Sequence, residues 1–502
     1  MFEKVLIANR GEIAVRVMRT LREMGILSVA VYSDADADAV HVQYADEAIH
    51  VGGSASAESY LVMERILAAC KKTGAQAVHP GYGFLSENTD FAAACEAAGV
   101  TFIGPPSSAI TAMGEKTQAR RLMIAAGVPV VPGTQHAIPT AEEALVIAKE
   151  MKFPVLIKAA AGGGGKGMRR VDDEGTFLAA FAGAQREAVA AFGNGDCYIE
   201  KWILQPKHVE IQILADRHGN TVHLFERDCS VQRRHQKVVE ESPCHILRDE
   251  VRQQMGRVAV QAAQAVNYVG AGTVEFLIDV DQNFYFLEMN TRLQVEHPIT
   301  EAVTGVDLVE QQIRVAAGGH LPFRQEDLTQ TGHAFEVRVY AEDTAAGFRP
   351  APGTITLMQT PTGHGVRDDN GYATGKTVSP YYDPMISKFI VHADTREKAR
   401  ARMLRCLEEY VVQGVETNLD FLSASLKNAA VIDGSYDTGV VDEILADIEA
   451  RPVPTEEERD LAIIAAALGR HLAPSAATPR APATTSNNEW GRYGRARSLA
   501  RF

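Results

Sequence analysis

Glu275, Glu288 and Glu296 lie close together in the sequence, and between the last two stand Asn290, Arg292 and Gln294. Val274 to Ile278 and Phe284 to Glu288 are apolar, strand-like runs joined by Asp279-Val280-Asp281-Gln282-Asn283, which is a hairpin pattern. A turn centred between Asp281 and Gln282 makes Glu275 and Glu288 cross-strand partners, with Cβ atoms about 5 Å apart on one face. Two carboxylates so placed repel unless one is protonated or a cation bridges them. A hard divalent ion with oxygen ligands, Mg2+ or Mn2+ held by carboxylates and phosphates, resolves the conflict. The alternative is two carboxylates pointing to water from an exposed sheet. Arg292, Gln294 and Glu296 at alternate positions then read as a polar stripe along an extended segment.

A second candidate for chemistry is the run Gly162-Gly163-Gly164-Gly165-Lys166-Gly167 after the strand-like Val155-Leu156-Ile157-Lys158. Consecutive glycines leave backbone N-H groups free to close around phosphate oxygens, and a lysine adds charge. No Ser or Thr follows the Gly-Lys and the chain continues as a strand, so the P-loop reading fails. A passive linker is the plain alternative. Lys116, at the entry to an amphipathic helix, and Lys158, on the strand facing the loop, supply further cations; each alone is more often a solvated surface charge.

The elements that must position these groups come in α/β order. Lys4 to Ala8 is a short strand, and Ile13, Ala14, Val17, Met18, Leu21 and Met24 recur at helical spacing before Gly25. Ile26 to Tyr32, Ala75 to His79 and Val100 to Ile103 add strands, so residues 1–114 read as a doubly wound domain. The loops after the first and third of these strand runs, Asn9-Arg10-Gly11-Glu12 and His79 to Asn88, sit where open α/β sheets bind ligands, or are turn chemistry alone. Residues 115–330 carry the chemical motifs, with a mobile lid over about 131–203. From 331 to 446 the pattern is mixed strands (Ala334 to Tyr340, Ile386 to Val391) and a helix (Arg396 to Tyr410). Thr455 with Glu458 is a capping-box pattern opening a helix in the 447–502 segment, and the Pro-, Ala-, Ser- and Thr-rich composition from Pro474 onward is that of a disordered tail.

Bulk properties exclude several classes. A 502-residue chain that is 46% apolar fills several cores. A formal charge of -14 argues against nucleic acid as the main partner. The six cysteines are scattered, with neither a C-x-x-C pair nor zinc-type spacing, so reduced buried thiols are expected. No leader pattern and no apolar run of membrane length appear, which points to the cytoplasm.

Five motifs in order resemble the biotin carboxylase family over residues 1 to about 446: Ile7-Ala8-Asn9-Arg10-Gly11-Glu12-Ile13-Ala14, His79-Pro80-Gly81-Tyr82-Gly83-Phe84-Leu85-Ser86-Glu87-Asn88, the glycine run, Glu226-Arg227-Asp228-Cys229-Ser230-Val231-Gln232-Arg233-Arg234-His235-Gln236-Lys237, and Glu288 to Pro298. The resemblance implies an α/β ATP-grasp fold with an N-terminal doubly wound, Rossmann-like domain and a C-terminal mixed α+β domain. It implies that Lys116, Lys158 and the lid residues Gly163, Gly164 and Gly165 contact ATP phosphates, and that Glu200, Lys201, Ile203, His208, Gln232 and His235 complete the nucleotide site. Metal ligands fall on Glu275, Glu288 and Asn290. Bicarbonate falls to Lys237, Arg292, Gln294 and the Val295 N-H, with Glu296 removing its proton, and the biotin enolate to Arg338. From sequence alone the favoured reading of Arg338 is an exposed strand arginine in a salt bridge, and only the resemblance reverses it.

By the same resemblance ATP, Mg2+ and bicarbonate are used together with biotin carried on a separate biotin carboxyl carrier protein, beside carboxyltransferase subunits, and the chain forms a homodimer. Glu150-Met151-Lys152-Phe153 is the nearest string to a biotin-acceptor site and its placement marks it as coincidence. The competing readings are another ATP-grasp ligase, one that joins a carboxylate to an amine, and a nucleotide-binding subunit without catalysis.

Overall fold

The structure, a computed structural model, describes residues 1–134, 136–159, 168–192, 195–234, 236–450 and 455–472. The side chains of residues 116, 117, 159, 191, 192, 466 and 469–472 also fall outside the description. Residues 1–448 pack as one unit and the remainder as another.

Five parallel strands open the fold, in the order Glu47–Gly52, Leu27–Ser33, Lys4–Ile7, Ala77–His79, Thr101–Phe102. Their residues alternate between two cores. Val5, Ile7, Ala30 and Ala77 face the helix Gly11–Glu23 through Ile13, Val17 and Leu21. Leu6, Val29, Val31 and Val78 face the other side, toward Ile66, Ala69 and Phe91. A sheet covered on both faces is what near-continuous apolar strands require. The order reverses at Lys4–Ile7, so the loops after this strand and after Ala77–His79 meet at the switch point. Asn9 donates to the carbonyls of Pro80 and Tyr82, each at 2.7 Å. Gly81 adopts φ +62 there, and a Cβ would sit 2.9 Å from Asn9 Nδ2, so only glycine permits the contact.

An eight-stranded antiparallel sheet carries the rest. Its order is Phe284–Asn290, Gly270–Ile278, Lys207–Ala215, Thr221–Arg233, Gln236–Ser242, His333–Tyr340, Met385–Ala393, Val366–Asn370. It runs unbroken from the segment with the chemical motifs into the C-terminal segment, because Gln236–Ser242 pairs directly with His333–Tyr340. Lys207–Ala215 is buried on both faces. Val209, Ile211 and Ile213 pack against the helix Asp249–Ala265, each contributing about 1.5–3 kcal/mol. The alternate residues His208, Glu210 and Gln212 line the opposite, polar face. The same alternation sets Phe335, Val337 and Val339 into the C-terminal core, and Glu336 and Arg338 toward the cleft.

A third sheet, Arg169–Val171, Val155–Ala159 and Cys197–Lys201, holds Lys158 opposite Tyr198 and Leu156 opposite Glu200. In the second unit the capping box at Thr455 is formed: Thr455 N-H donates to Glu458 Oε2 at 2.8 Å and Glu458 N-H to Thr455 Oγ1 at 3.2 Å. No helix among the described residues is long and apolar enough to cross a membrane, and all six cysteines are free and buried.

Candidate functional site

The hairpin places Glu275 opposite Glu288, as the sequence spacing predicts, by a route the spacing did not contain. The turn centres on Asp281, since Ile278 pairs with Phe284. Asp279 Oδ1 accepts from the N-H groups of Asp281 and Asn283 and closes it. A bulge at Leu287, whose side chain is exposed, inserts one residue and restores the Glu275–Glu288 pairing.

Glu275 Oε1 accepts from Lys237 Nζ at 2.9 Å, Asn290 Nδ2 at 2.9 Å and Gln294 Nε2 at 2.8 Å, and His208 Nε2 lies 3.1 Å from Oε2. Burial opposes its ionisation, but Lys237 and His208 outweigh burial and hold it well below the usual carboxylate range. The donor set of Glu275, Glu288 and the Asn290 amide oxygen, two carboxylates and no thiol, fits a hard divalent cation. Asn290 Oδ1 accepts here from Arg292 at 2.9 Å. His208, Glu210 and Glu275 also come together, with ligand atoms within 4.8 Å of one another.

Lys237 is the hub. Its ammonium reaches Glu210 at 2.5 Å, Glu275 at 2.9 Å and Glu296 at 2.5 Å. Burial alone would lower its pKa; three carboxylates raise it well above the usual lysine value. Glu296, almost fully buried, divides its oxygens between Lys237 and Arg338, the latter at 2.9 Å. Burial raises its pKa, and Lys237 with Arg338 more than reverse that, so it is ionised at neutral pH. Arg338 also donates from Nε to Glu240 Oε1 at 2.7 Å. The exposed-arginine reading of Arg338 is thereby corrected: it is buried and doubly paired.

The polar stripe is corrected too. The strand ends at Asn290, and Glu296 stands at the residue before the helix His297–Thr304 instead of continuing an extended segment. Arg292 turns toward the N-terminal loop, donating from Nε to Glu87 Oε2 at 2.9 Å, while Glu87 Oε1 accepts from the Thr291 N-H at 3.0 Å. Gln294 points inward, and the carbonyl of Val295 accepts from Lys388 at 3.1 Å, which orients that peptide.

Arg227, fully buried, belongs to a sequence motif that gave it no role of its own, and it organises the cleft. Its five N-H donors are all used: Glu210 at 2.5 Å, Gln212 at 2.7 Å, Thr300 at 2.9 Å, Thr273 at 3.1 Å and Gln294 at 2.7 Å. It thereby fixes the amide of Gln294 with its carbonyl inward and its NH2 toward Glu275. Glu210, Glu240, Glu336 and Lys388 escape sequence reasoning altogether. The signal for them was the alternation of polar residues within otherwise apolar strands, as in His208, Glu210, Gln212.

Across the cleft Lys158 pairs with Glu200, which also accepts from Arg120 at 3.3 Å. Lys201 Nζ instead donates to the carbonyl of Lys152 at 2.6 Å, while its backbone N-H bonds Pro132 O at 2.8 Å. Ile203 is half-buried, and Gln232 donates to the Cys229 carbonyl at 2.8 Å. Gly163, Gly164, Gly165, His235 and the segment after 472 lie outside the described residues, as does the side chain of Lys116, which begins the helix Lys116–Ala125.

A doubly wound sheet joined to a long antiparallel sheet, with a cleft of lysines, arginines and paired carboxylates between them, is the ATP-grasp architecture of ATP-dependent ligases. Family models narrow the class: biotin carboxylase, N-terminal domain matches residues 1–110, carbamoyl-phosphate synthase L chain, ATP binding domain matches 115–324, and biotin carboxylase C-terminal domain matches 336–443. The chain is 53% identical over 438 residues to Biotin carboxylase 2 of Bacillus subtilis (strain 168), covering 87% of this chain and 98% of that protein. It is 50% identical over 441 residues to the biotin carboxylase of Halalkalibacterium halodurans, covering 88% of this chain and 97% of that protein. Among solved structures, biotin carboxylase from Campylobacter jejuni in complex with β-γ-ATP superposes with TM-score 0.83 at 46% identity, covering 88% of this chain and 99% of the other. The biotin carboxylase domain dimer of Hydrogenobacter thermophilus 2-oxoglutarate carboxylase, bound to MgADP, ADP and bicarbonate, gives 0.81 at 47% identity, covering 88% and 98%. The chain belongs to the biotin carboxylase family.

Proposed function

We propose that the cluster around Glu296 performs the family's reaction, the carboxylation of biotin with bicarbonate and MgATP. The observation that carries this is Glu296 itself: a buried, ionised carboxylate held between Lys237 and Arg338. Lys237, which helps keep this base charged before substrate arrives, also attracts a small anion. Once bicarbonate takes a share of its charge, Glu296 becomes a stronger base and accepts the bicarbonate proton. Gln294, the Val295 N-H and Arg292 complete the anion site, with Arg292 leaving Glu87 or bridging from it.

The deprotonated bicarbonate attacks the γ-phosphorus, and the charge spread over the phosphoryl oxygens is met by Lys116, Lys158 and the lid. Glu275 and Glu288, with Asn290, would hold Mg2+ or Mn2+, which would supply positive charge against the phosphates. The carboxyphosphate so formed breaks down to CO2 and phosphate, phosphate takes the ureido proton of biotin, and Arg338 stabilises the enolate. Glu200, Lys201, Ile203, His208, Gln232 and His235 form the nucleoside side of the site. By role the chain divides into 1–114, 115–330 with the lid, 331–446 and 447–502.

Biotin is presented on a separate carrier protein, and the carboxyl group passes from it to a carboxyltransferase; relatives named simply biotin carboxylase support this. A homodimer is supported by the dimeric solved relative, and six reduced, buried thiols support a cytoplasmic location. The test is ATP cleavage by the purified chain: slow with bicarbonate, faster with free biotin, and in Arg338→Gln bicarbonate-dependent cleavage retained while carboxybiotin is lost. ATP turnover indifferent to bicarbonate and biotin would overturn the assignment.

A further inference from the structure

Behind Arg338 the polar cluster continues into two glutamates with no role in the scheme above. Glu240 and Glu336 are register partners on the adjacent antiparallel strands Gln236–Ser242 and His333–Tyr340, and both are fully buried. Glu240 Oε1 is bound by Arg338, but Glu240 Oε2 and both oxygens of Glu336 accept no hydrogen bond from any described residue. Directly opposed side chains in such a pair are neighbours. Two buried carboxylates this close are disfavoured as a dianion by desolvation and by mutual repulsion. One proton between them relieves both, because the protonated member becomes a donor to an oxygen that otherwise has none.

The surroundings supply too little positive charge for a dianion. From the pair's own strands come Lys237 and Arg338. Lys237 is taken by three other carboxylates, and Arg338 is shared with Glu296. From Met385–Ala393 comes Lys388, opposite Arg338 and already 3.2 Å from Glu12, with Asp369 its register partner on Val366–Asn370. From the helix His297–Thr304 comes His297, held neutral by burial and by Lys388. Burial, offset in part by Arg338, pushes Glu240 up to about 7. Burial and Glu240 push Glu336 well above the carboxylate range.

We propose that Glu240 and Glu336 share one proton and act as a positioning pair for Arg338, Glu240 gripping the guanidinium with a single negative charge and Glu336 carrying the proton. A doubly charged pair would cancel the positive charge that Arg338 must offer to the anion formed on biotin; a singly charged pair fixes its orientation and leaves that charge available. The function assigned to the pair rests on the reading of Arg338 given above, whereas the shared proton does not.

The test uses the full chain and isosteric variants. Infrared spectra of the wild-type protein in the neutral range should show a buried protonated-carboxyl C=O band that Glu336→Gln removes. Wild-type carboxybiotin formation should decline on the alkaline side as the pair loses its proton. In Glu336→Gln, whose amide N-H cannot be lost, that limb should move up by about one pH unit or more, with bicarbonate-dependent ATP cleavage preserved. Glu240→Gln should lower carboxybiotin formation about tenfold or more while bicarbonate-dependent ATP cleavage stays within about threefold. Absence of the band from wild type, or an alkaline limb in Glu336→Gln that coincides with wild type, would overturn the proposal. If Glu336→Gln fails to fold, the wild-type band and its change in Glu240→Gln decide the matter. Carboxybiotin formation retained by Arg338→Gln would refute the role assigned to Arg338, and with it the positioning function, while the band would still report on the proton.

Discussion

Replacing Glu296 by Gln separates catalysis from stability, because the structure supplies different magnitudes for the two. The amide keeps the volume of a side chain that is only 2% exposed, but it carries no charge and accepts no proton. Neither cation is stranded. Lys237 keeps Glu210 at 2.5 Å and Glu275 at 2.9 Å, and Arg338 keeps Glu240. The penalty of about 3–5 kcal/mol for leaving a buried charge uncompensated is therefore not incurred. Two charge-assisted hydrogen bonds are weakened and the burial of one charge is relieved, so the net loss should stay within about 2 kcal/mol. Loss of a general base costs about 10²–10⁴ in rate, roughly 3–5.5 kcal/mol on the barrier. Bicarbonate-dependent ADP release and biotin-stimulated ADP release should fall together by that factor, with urea unfolding showing a folded protein of near-native stability. As pH rises and carbonate replaces bicarbonate, the variant should recover part of its rate, since the proton it cannot remove is already gone. Activity within about tenfold of wild type at saturating bicarbonate would refute Glu296 as the base. An unfolded variant would refute the pairing logic.

Arg227→Met should be destabilising by about 3–5 kcal/mol in denaturant unfolding, because five donors are removed at once and Gln212, Thr300, Thr273 and Gln294 lose their partner; a midpoint unchanged from wild type would contradict the role given to it. Glu288→Gln should leave the fold intact, lower ATP cleavage about 100-fold or more and raise the Mg2+ concentration needed for half-maximal rate; near wild-type activity at saturating Mg2+ would remove Glu288 from the metal site. Stability should fall on both sides of a mildly acidic optimum. Burial, only partly offset by Lys388, pushes Glu12 up to about 7, and burial together with Glu240 pushes Glu336 well above the carboxylate range, so each keeps a proton that the unfolded chain has lost. Stability then decreases on the order of 1 kcal/mol per pH unit per group as pH rises from the ordinary carboxylate range to about 7. Glu241 behaves oppositely: burial is outweighed by His333 and Arg396, its pKa is depressed, and its contribution disappears as pH falls below that range. Urea titrations from pH 2 to 8 check both slopes.

The sequence alone determined what depends on neighbours along the chain. Strand and helix positions followed from periodicity, the Thr455 cap from two residues three apart, and the Glu275–Glu288 pairing from spacing across a short turn, even though a bulge at Leu287 was needed to realise it. The family could be read from five contiguous motifs. The polar stripe through Arg292, Gln294 and Glu296 was misplaced, because alternation along an extended segment is a local rule and the chain leaves extended geometry at Asn290. Only the tertiary structure decided that Lys237 meets Glu210, Glu275 and Glu296, that Arg227 binds four separate segments, and that Glu240 faces Glu336. Those contacts join residues tens to about a hundred positions apart. Their register is set by which strands become neighbours in the eight-stranded sheet, and that is settled by burial of the apolar faces on the other side. A charge in the sequence carries no mark of whether water or another charge will face it, and in this cleft the sheet order makes that choice.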